Sequence, residues 1–323
     1  LKRLTSLIKI GKHQFNFLTE FEMKSSFEDF TDTATITIPK RIIFQGKPIV
    51  NGNDSIFRIG DKVEVHCGYD FQNVPVFIGY VSAVQQKTPF VIECEDQMWL
   101  LKRVSYTKSF KKVSLKELVD FLISKLDDKP KVNVTVDIDL KNFIIDNATG
   151  TQVLEELKKG YGINSFFRDG ELYVGFSYNS QASEKYRKTK EIIFQKQVIE
   201  DDLVYRSKEE TKVKVKVTVG EGKTKKEVEI GDPDGQEITF KVPDGAIPNP
   251  KKYAEEMLEK HKYEGFSGSF TTFGFPHFRH GDVCKLVDLQ HPEKNGSYIV
   301  KTVERSFGSG GFRQTIELAQ KIS

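Results

Sequence analysis

Apolar and polar positions alternate over much of the first hundred residues. Thr35 to Ile38, Lys62 to Val65, Val76 to Val81 and Val91 to Cys94 are short runs rich in β-branched and aromatic residues, separated by turn formers. They predict an all-β unit over residues 1–105. The lone Trp99 lies in the apolar run Met98 to Leu101 and is expected to plug a barrel end rather than to serve as a ligand platform.

Near residue 113 the period changes from two to that of a helix. Ser114 and Glu117 form a capping box ahead of Leu115, Leu118, Val119, Leu122 and Leu126, which share one face, and Pro130 is expected to stop that helix. Val132 to Ile138 alternates as a strand. Thr149 and Gln152 form a second capping box before Val153, Leu154 and Leu157, and Gly160 and Gly162 close the helix. Two further strands, Asn164 to Phe167 and Glu171 to Val174, flank Arg168-Asp169-Gly170, whose Asp-Gly pair favours a tight hairpin. Residues 106–180 therefore read as an α+β insert.

The polar stretch 181–200 reads as a linker into a second β region, 181–323. Lys212 to Val219 alternates strictly, with valines on one face and lysines on the other. Turns at Asp232 to Gly235 and Pro243 to Gly245 bracket a strand from Glu237 to Val242. Pro250 opens a helix near 250–262 that carries Tyr253, Ala254, Met257, Leu258 and His261 at helical spacing.

Part of the pattern occurs twice. Phe57-Arg58-Ile59-Gly60-Asp61 recurs as Phe278-Arg279-His280-Gly281-Asp282, each time opening a strand. The first copy continues through Gly79 to Val81 and Val91 to Cys94, the second through Gly296 to Val300 and Thr315 to Leu318. Glycine supplies positive φ in such a turn, and aspartate accepts backbone hydrogen bonds. The expected fold class is mostly β with an α+β insert, as two related β-barrel domains in one chain.

Composition narrows the function classes. Forty-nine Lys and Arg against forty-six Asp and Glu leave a net charge of +3, too balanced for a chain-wide field that holds nucleic acid. The lysine ribbon Lys212, Lys214, Lys216, Lys223, Lys225 and Lys226 is diluted by Glu209, Glu210, Glu221, Glu227 and Glu229; it reads as a solvated sheet edge in preference to a DNA site. Three separated cysteines, Cys67, Cys94 and Cys284, fit small core residues in a reducing environment. Leu1 to Ile10 is too short an apolar run for a signal peptide, and no run approaches a membrane span, so the protein is expected to stay soluble.

No catalytic, cofactor-binding or metal residue is assigned. His277, His280, Cys284 and His291 fit no usual zinc spacing. His66 and Cys67 are strand neighbours that point to opposite faces. Glu93 and Glu95 share a face but read as solvated carboxylates rather than a glycosidase pair. Ser306 to Gly311 lacks the Lys-Ser or Lys-Thr of a phosphate loop and reads as a hairpin turn.

Taken in order, several segments resemble one family. These are Phe30 to Pro39, Gly60-Asp61 followed by Phe77 to Val81, the Thr151 to Gly162 helix before the Asp169-Gly170 hairpin, Gly274-Phe275-Pro276 ahead of Gly281-Asp282, and Gly296 to Phe307. Together they resemble the baseplate hub, or late-control-type, tail proteins of contractile-tailed phages, related to the N-terminal part of type VI secretion spikes. The resemblance implies a structural homotrimer whose paired barrels make a pseudo-sixfold ring between tail tube and central spike. It also implies contacts with other baseplate proteins and the tape measure, DNA at most in non-specific passage, and no membrane insertion. The place implied is the virion tail baseplate, assembled in the bacterial cytoplasm. The lysozyme-like and needle extensions of some relatives have no counterpart before Ser323. The rival readings are a carbohydrate- or surface-binding β module and a cell-wall hydrolase.

Overall fold

The computed structural model describes residues 2–39, 41–44, 47–50, 56–85, 87–175, 187–207, 209–220, 225–242, 247 and 249–322. The Pro243 to Gly245 turn, Glu221 and Lys223 lie outside the described residues, as does the first part of the expected linker.

The first region holds β1 (Leu4–Ile10), β2 (His13–Phe15), β3 (Glu20–Ser26), β4 (Thr33–Ile38), the hairpin β5 (Arg41–Phe44) and β6 (Lys47–Val50), β7 (Lys62–Tyr69), β8 (Gln72–Gln85) and β9 (Phe90–Glu95). After the short α1 (Met98–Lys102) come β10 (Ser105–Ser114), α2 (Leu115–Ser124), β11 (Lys131–Val134), β12 (Asp139–Thr149), α3 (Gly150–Tyr161), β13 (Asn164–Arg168) and β14 (Glu171–Gly175). The last region holds β15 (Thr189–Ile193), α4 (Phe194–Gln197), β16 (Val198–Asp201), β17 (Val204–Arg206), β18 (Val213–Val219), β19 (Lys226–Gly231) and β20 (Gln236–Val242). It ends with α5 (Pro250–His261), β21 (Gly265–Ser267), β22 (Ser269–Phe273), β23 (Val283–Val287), β24 (Gly296–Gly308) and β25 (Gly311–Lys321).

Local chemistry accounts for the helix ends. Both capping boxes form, with Ser114 and Thr149 each accepting from the backbone three residues on while Glu117 and Gln152 reach back. Gly162 closes α3 in the left-handed region at φ +67°, whereas Gly160 stays inside the helix. α2 ends at Ser124, well before Pro130: the chain turns there and buries Leu126 against the helix it has left. Asn249 caps α5, with Pro250 in its first turn.

The fold is mostly β, as expected. One thirteen-stranded sheet runs in the order β16, β22, β25, β24, β3, β4, β9, β8, β7, β1, β2, with β23 also on β24 and β15 parallel to β23. Among the described residues this pairing is an open path that closes no barrel. Two five-stranded units can be traced in it, β3-β4-β9-β8-β7 and β16-β22-β25-β24-β23, with the same strand order and antiparallel pairing throughout. They are joined where the second half of β24 pairs with β3, from Thr302↔Ser26 to Phe307↔Phe21.

Two expectations are corrected. The stretch 181–200 is not wholly a linker, because Thr189–Ile193 forms β15 and Val198–Asp201 forms β16; a single buried residue, Ile192, anchors β15, too weak an alternation to read. Lys226 does lie on an edge strand, β19, but the Lys212 to Lys216 part of the lysine ribbon is not a sheet edge, because β18 is central between β19 and β20. Its valines are buried against α5 as the alternation required, while Lys214 and Lys216 are held by Glu227, Glu229 and Glu237 on the flanking strands.

Candidate assembly interface

The repeated turn is built twice from the same hydrogen bonds. In the first copy Gly60, at φ +92°, donates to the Val81 carbonyl at 2.8 Å, Val81 donates to the Asp61 carbonyl at 2.9 Å, and Asp61 Oδ2 accepts from the Arg58 amide at 2.8 Å. In the second, Gly281, at φ +78°, donates to Val300 at 2.7 Å, Val300 donates to Asp282 at 2.9 Å, and Asp282 Oδ2 accepts from Arg279 at 3.0 Å. Even the bulge recurs: β8 shifts register between Val81 and Ala83, and β24 between Val300 and Thr302. Phe57 and Phe278 are both buried at the start of their turns.

What covers the two turns differs. Trp99 lies over Gly60 and stacks on Tyr80, with ring centroids 5.3 Å apart, and the Arg103 guanidinium also lies over its ring; it is a packing residue, as expected. Ile59 is left 59% exposed. The second turn is closed by the β13–β14 hairpin. His280, at the position of Ile59, is buried edge-on against Phe166 at 5.1 Å. Arg168 pairs with the fully buried Asp282 at 2.7 Å and donates to the His280 carbonyl, Lys190 reaches the other Asp282 oxygen, and Arg279 pairs with Asp169. The turn chemistry of Arg168-Asp169-Gly170 was legible, with Asp169 and Gly170 at φ +55° and +78°; its role as a charged wedge was not.

A cavity of about 100 Å³ lies where the two copies meet this wedge, lined among others by Met23, Asp32, Phe77, Asp96, Arg168 and Arg305. Arg305 is buried, donates to the Phe278 carbonyl and lies 3.1 Å from the Met23 sulfur; burial lowers its pKa to about 9. Burial likewise pushes the Asp32 carboxyl up to about 7, although the Ser25 hydroxyl and Ser26 amide donate to it, and it holds neighbouring Asp96 well above the usual carboxylate range.

The native state therefore binds the Asp32 proton more tightly than the unfolded chain does. This contribution to stability is full below the ordinary carboxylate pKa near 4 and is lost as pH rises through about 7. Burial depresses His277 and His280 to about 2 and about 3, so their contribution runs oppositely, being lost as pH falls below about 6.5. Asp32→Asn leaves the histidines in place. The difference in urea midpoint between Asp32→Asn and the parent chain is expected to move in the variant's favour from pH 4 to pH 8; a difference independent of pH would refute the assignment.

The candidate chemical groups are dispersed. Among the described residues no three His, Cys, Asp or Glu are grouped to hold a metal. Cys284 is buried in β23 with its thiol pushed up to about 12, and His291 is half exposed beside Glu293. His66 is partly exposed while Cys67 is fully buried, on opposite faces of β7. Glu93 accepts from Gln85 and Glu95 pairs with Lys102 at 2.6 Å, so both carboxylates are held by neighbours. Ser306 to Gly311 spans the β24–β25 turn. No helix among the described residues is long and apolar enough to cross a membrane.

No protein-family model and no curated protein sequence matches the chain. Solved structures do. A tail protein from Neisseria meningitidis MC58 is 14% identical with a TM-score of 0.64, covering 99% of this chain and 97% of that one. The 43 kDa tail protein of prophage MuSo2 from Shewanella oneidensis is 14% identical with a TM-score of 0.63, covering 98% and 96%. An E. coli component of the type VI secretion system, described as structurally similar to the T4 tail proteins gp27 and gp5, is 10% identical with a TM-score of 0.62, covering 97% and 76%. At these identities the likeness is one of fold, and it bears out the resemblance read from the sequence. Nearly end to end, the chain has the fold of phage tail proteins that is shared with type VI secretion components.

Proposed function

We propose that the chain is a structural, non-enzymatic subunit of the baseplate hub at the tip of a phage tail or related contractile injection device. Three chains form a ring of six similar β units, two per chain, joining a sixfold tail tube to a threefold central spike. In this reading residues 1–105 and 181–323 are the two barrel-type domains and 106–180 the α+β insert between them in the chain. The partners are the tube protein, the central spike protein, other baseplate proteins and the tape measure, with DNA passing through without specific contact. The place is the virion tail, assembled in the bacterial cytoplasm.

The observation that carries the proposal is the duplicated unit, matched hydrogen bond for hydrogen bond at its turn, in a chain whose fold follows tail proteins from end to end. Duplication within one chain is what a threefold-to-sixfold adaptor requires. A sugar-binding module would instead present a platform of open aromatic rings. The exposed phenylalanines among the described residues, Phe71 and Phe273, each have a guanidinium over the ring, of Arg3 and Arg313.

Light scattering is expected to give three times the 36.9 kDa chain mass, and electron-microscope class averages a ring with a sixfold outline. A strict monomer at every concentration, with and without the spike protein, would sink the ring.

A further inference from the structure

One strand pair inside the chain has no counterpart at the equivalent place in the other copy. The second half of β24 pairs with β3 through Thr302↔Ser26, Val303↔Ser25 and Glu304↔Lys24. The counterparts of both strands can be identified from register alone. Ala83, Val84 and Gln85 stand opposite Glu93, Ile92 and Val91 on β9, just as Thr302, Val303 and Glu304 stand opposite Glu317, Ile316 and Thr315 on β25. Glu20 and Phe21 stand opposite Thr37 and Ile36, just as Glu200 and Asp201 stand opposite Thr271 and Phe270. Following that correspondence along the chain, Lys24, Ser25 and Ser26 match Val204, Tyr205 and Arg206.

Both counterparts offer an open edge. β7 pairs with β8 only as far as Tyr80, so among the described residues Ala83 to Gln85 have β9 on one side and no strand on the other. Among the described residues β16 and β17 are paired with β22 and β21 on one side only. Along this second edge Ile199 and Val204 are 44% and 49% exposed, apolar side chains on strands paired on one side only, an edge of the kind that recruits another chain.

We propose that a second copy of this chain completes the missing pair: Ala83 to Gln85 of one subunit lie antiparallel to Val204 to Arg206 of the next, in the register Ala83↔Arg206, Val84↔Tyr205 and Gln85↔Val204. The contact continues between chains the β24–β3 interface already built within one chain, so each joint between units is a strand pair of the same kind. The seam is shorter than its internal template because the β8–β9 turn follows Gln85 at once, whereas β24 runs on to Gly308. This inference rests on the ring reading above and gives it an address.

A cysteine pair in the full chain tests it. The native Cys67, Cys94 and Cys284 are buried and free, so mild oxidation acts on introduced thiols. Val204→Cys is combined in turn with Ala83→Cys, Val84→Cys and Gln85→Cys. Covalent dimers and trimers on a non-reducing gel are expected to be most abundant with Gln85→Cys, and least with Val84→Cys, whose side chain points to the other face. Equal yields in the three pairings, from a protein that still forms rings by light scattering, would overturn the seam and leave the ring standing. A monomer at all concentrations would overturn both. Hydrogen exchange on the unmutated chain gives a second readout: amides of 83–85 and 204–206 are expected to slow on assembly, and unchanged exchange in the ring would equally overturn the seam.

Discussion

Asp282→Ala is expected to lower the unfolding free energy by about 3–5 kcal/mol, whereas the same change at the matching Asp61 costs about 1 kcal/mol. The two aspartates make the same bond to a backbone amide, from Arg279 and from Arg58. Asp282, however, is fully buried with Arg168 and Lys190 on its two oxygens. Removing it strands a guanidinium whose side chain is only 3% exposed. Asp61 sits in a partly open turn, where water takes over the amide it leaves. Urea midpoints at constant m-value measure both changes. Equal losses would mean that the hairpin wedge does not lock the second copy.

The second large effect is expected at Phe312. It lies on β25, yet its ring is fully buried in the cluster formed by β1, β4, β7, β8 and β9, beside Phe307 and under Tyr69, whose hydroxyl bonds the Phe312 backbone. Phe312→Ala opens a cavity worth about 3–5 kcal/mol. Because a residue of one copy fills the core of the other, both are expected to lose stability together. Trp99, the only tryptophan, reports on the first copy, and far-UV circular dichroism reports on the whole. Their midpoints should fall by the same amount; a Trp99 midpoint that stayed in place would show the two cores to be independent.

Both expectations turn on how the copies diverged, and that was only half legible in the sequence. The repeated turn could be read because Gly60 and Gly281 must reach positive φ and Asp61 and Asp282 must take up a nearby amide, requirements written in a few adjacent residues. Capping boxes and the Asp169-Gly170 hairpin were legible for the same reason. The β24–β3 junction was not, because pairing between residues some 280 positions apart leaves no local trace. Nor could the alternation of Lys212 to Val219 distinguish a central strand from an edge, since either buries one face and leaves the other polar. Arg168 was passed over as part of a turn; a wholly buried guanidinium is legible only once its partner's position is known.

The length of β24, a strand of the second unit that also pairs with β3 of the first, governs how the molecule bears load as well. Thirteen residues in extended form span roughly 43 Å, and this single length is bonded to β25 along one side and to β23 and then β3 along the other. A pull along the strand strains these ladders in shear, so many hydrogen bonds must yield at once instead of parting one by one. The backbone there acts as a tendon, and force entering one unit reaches the other without crossing a loop.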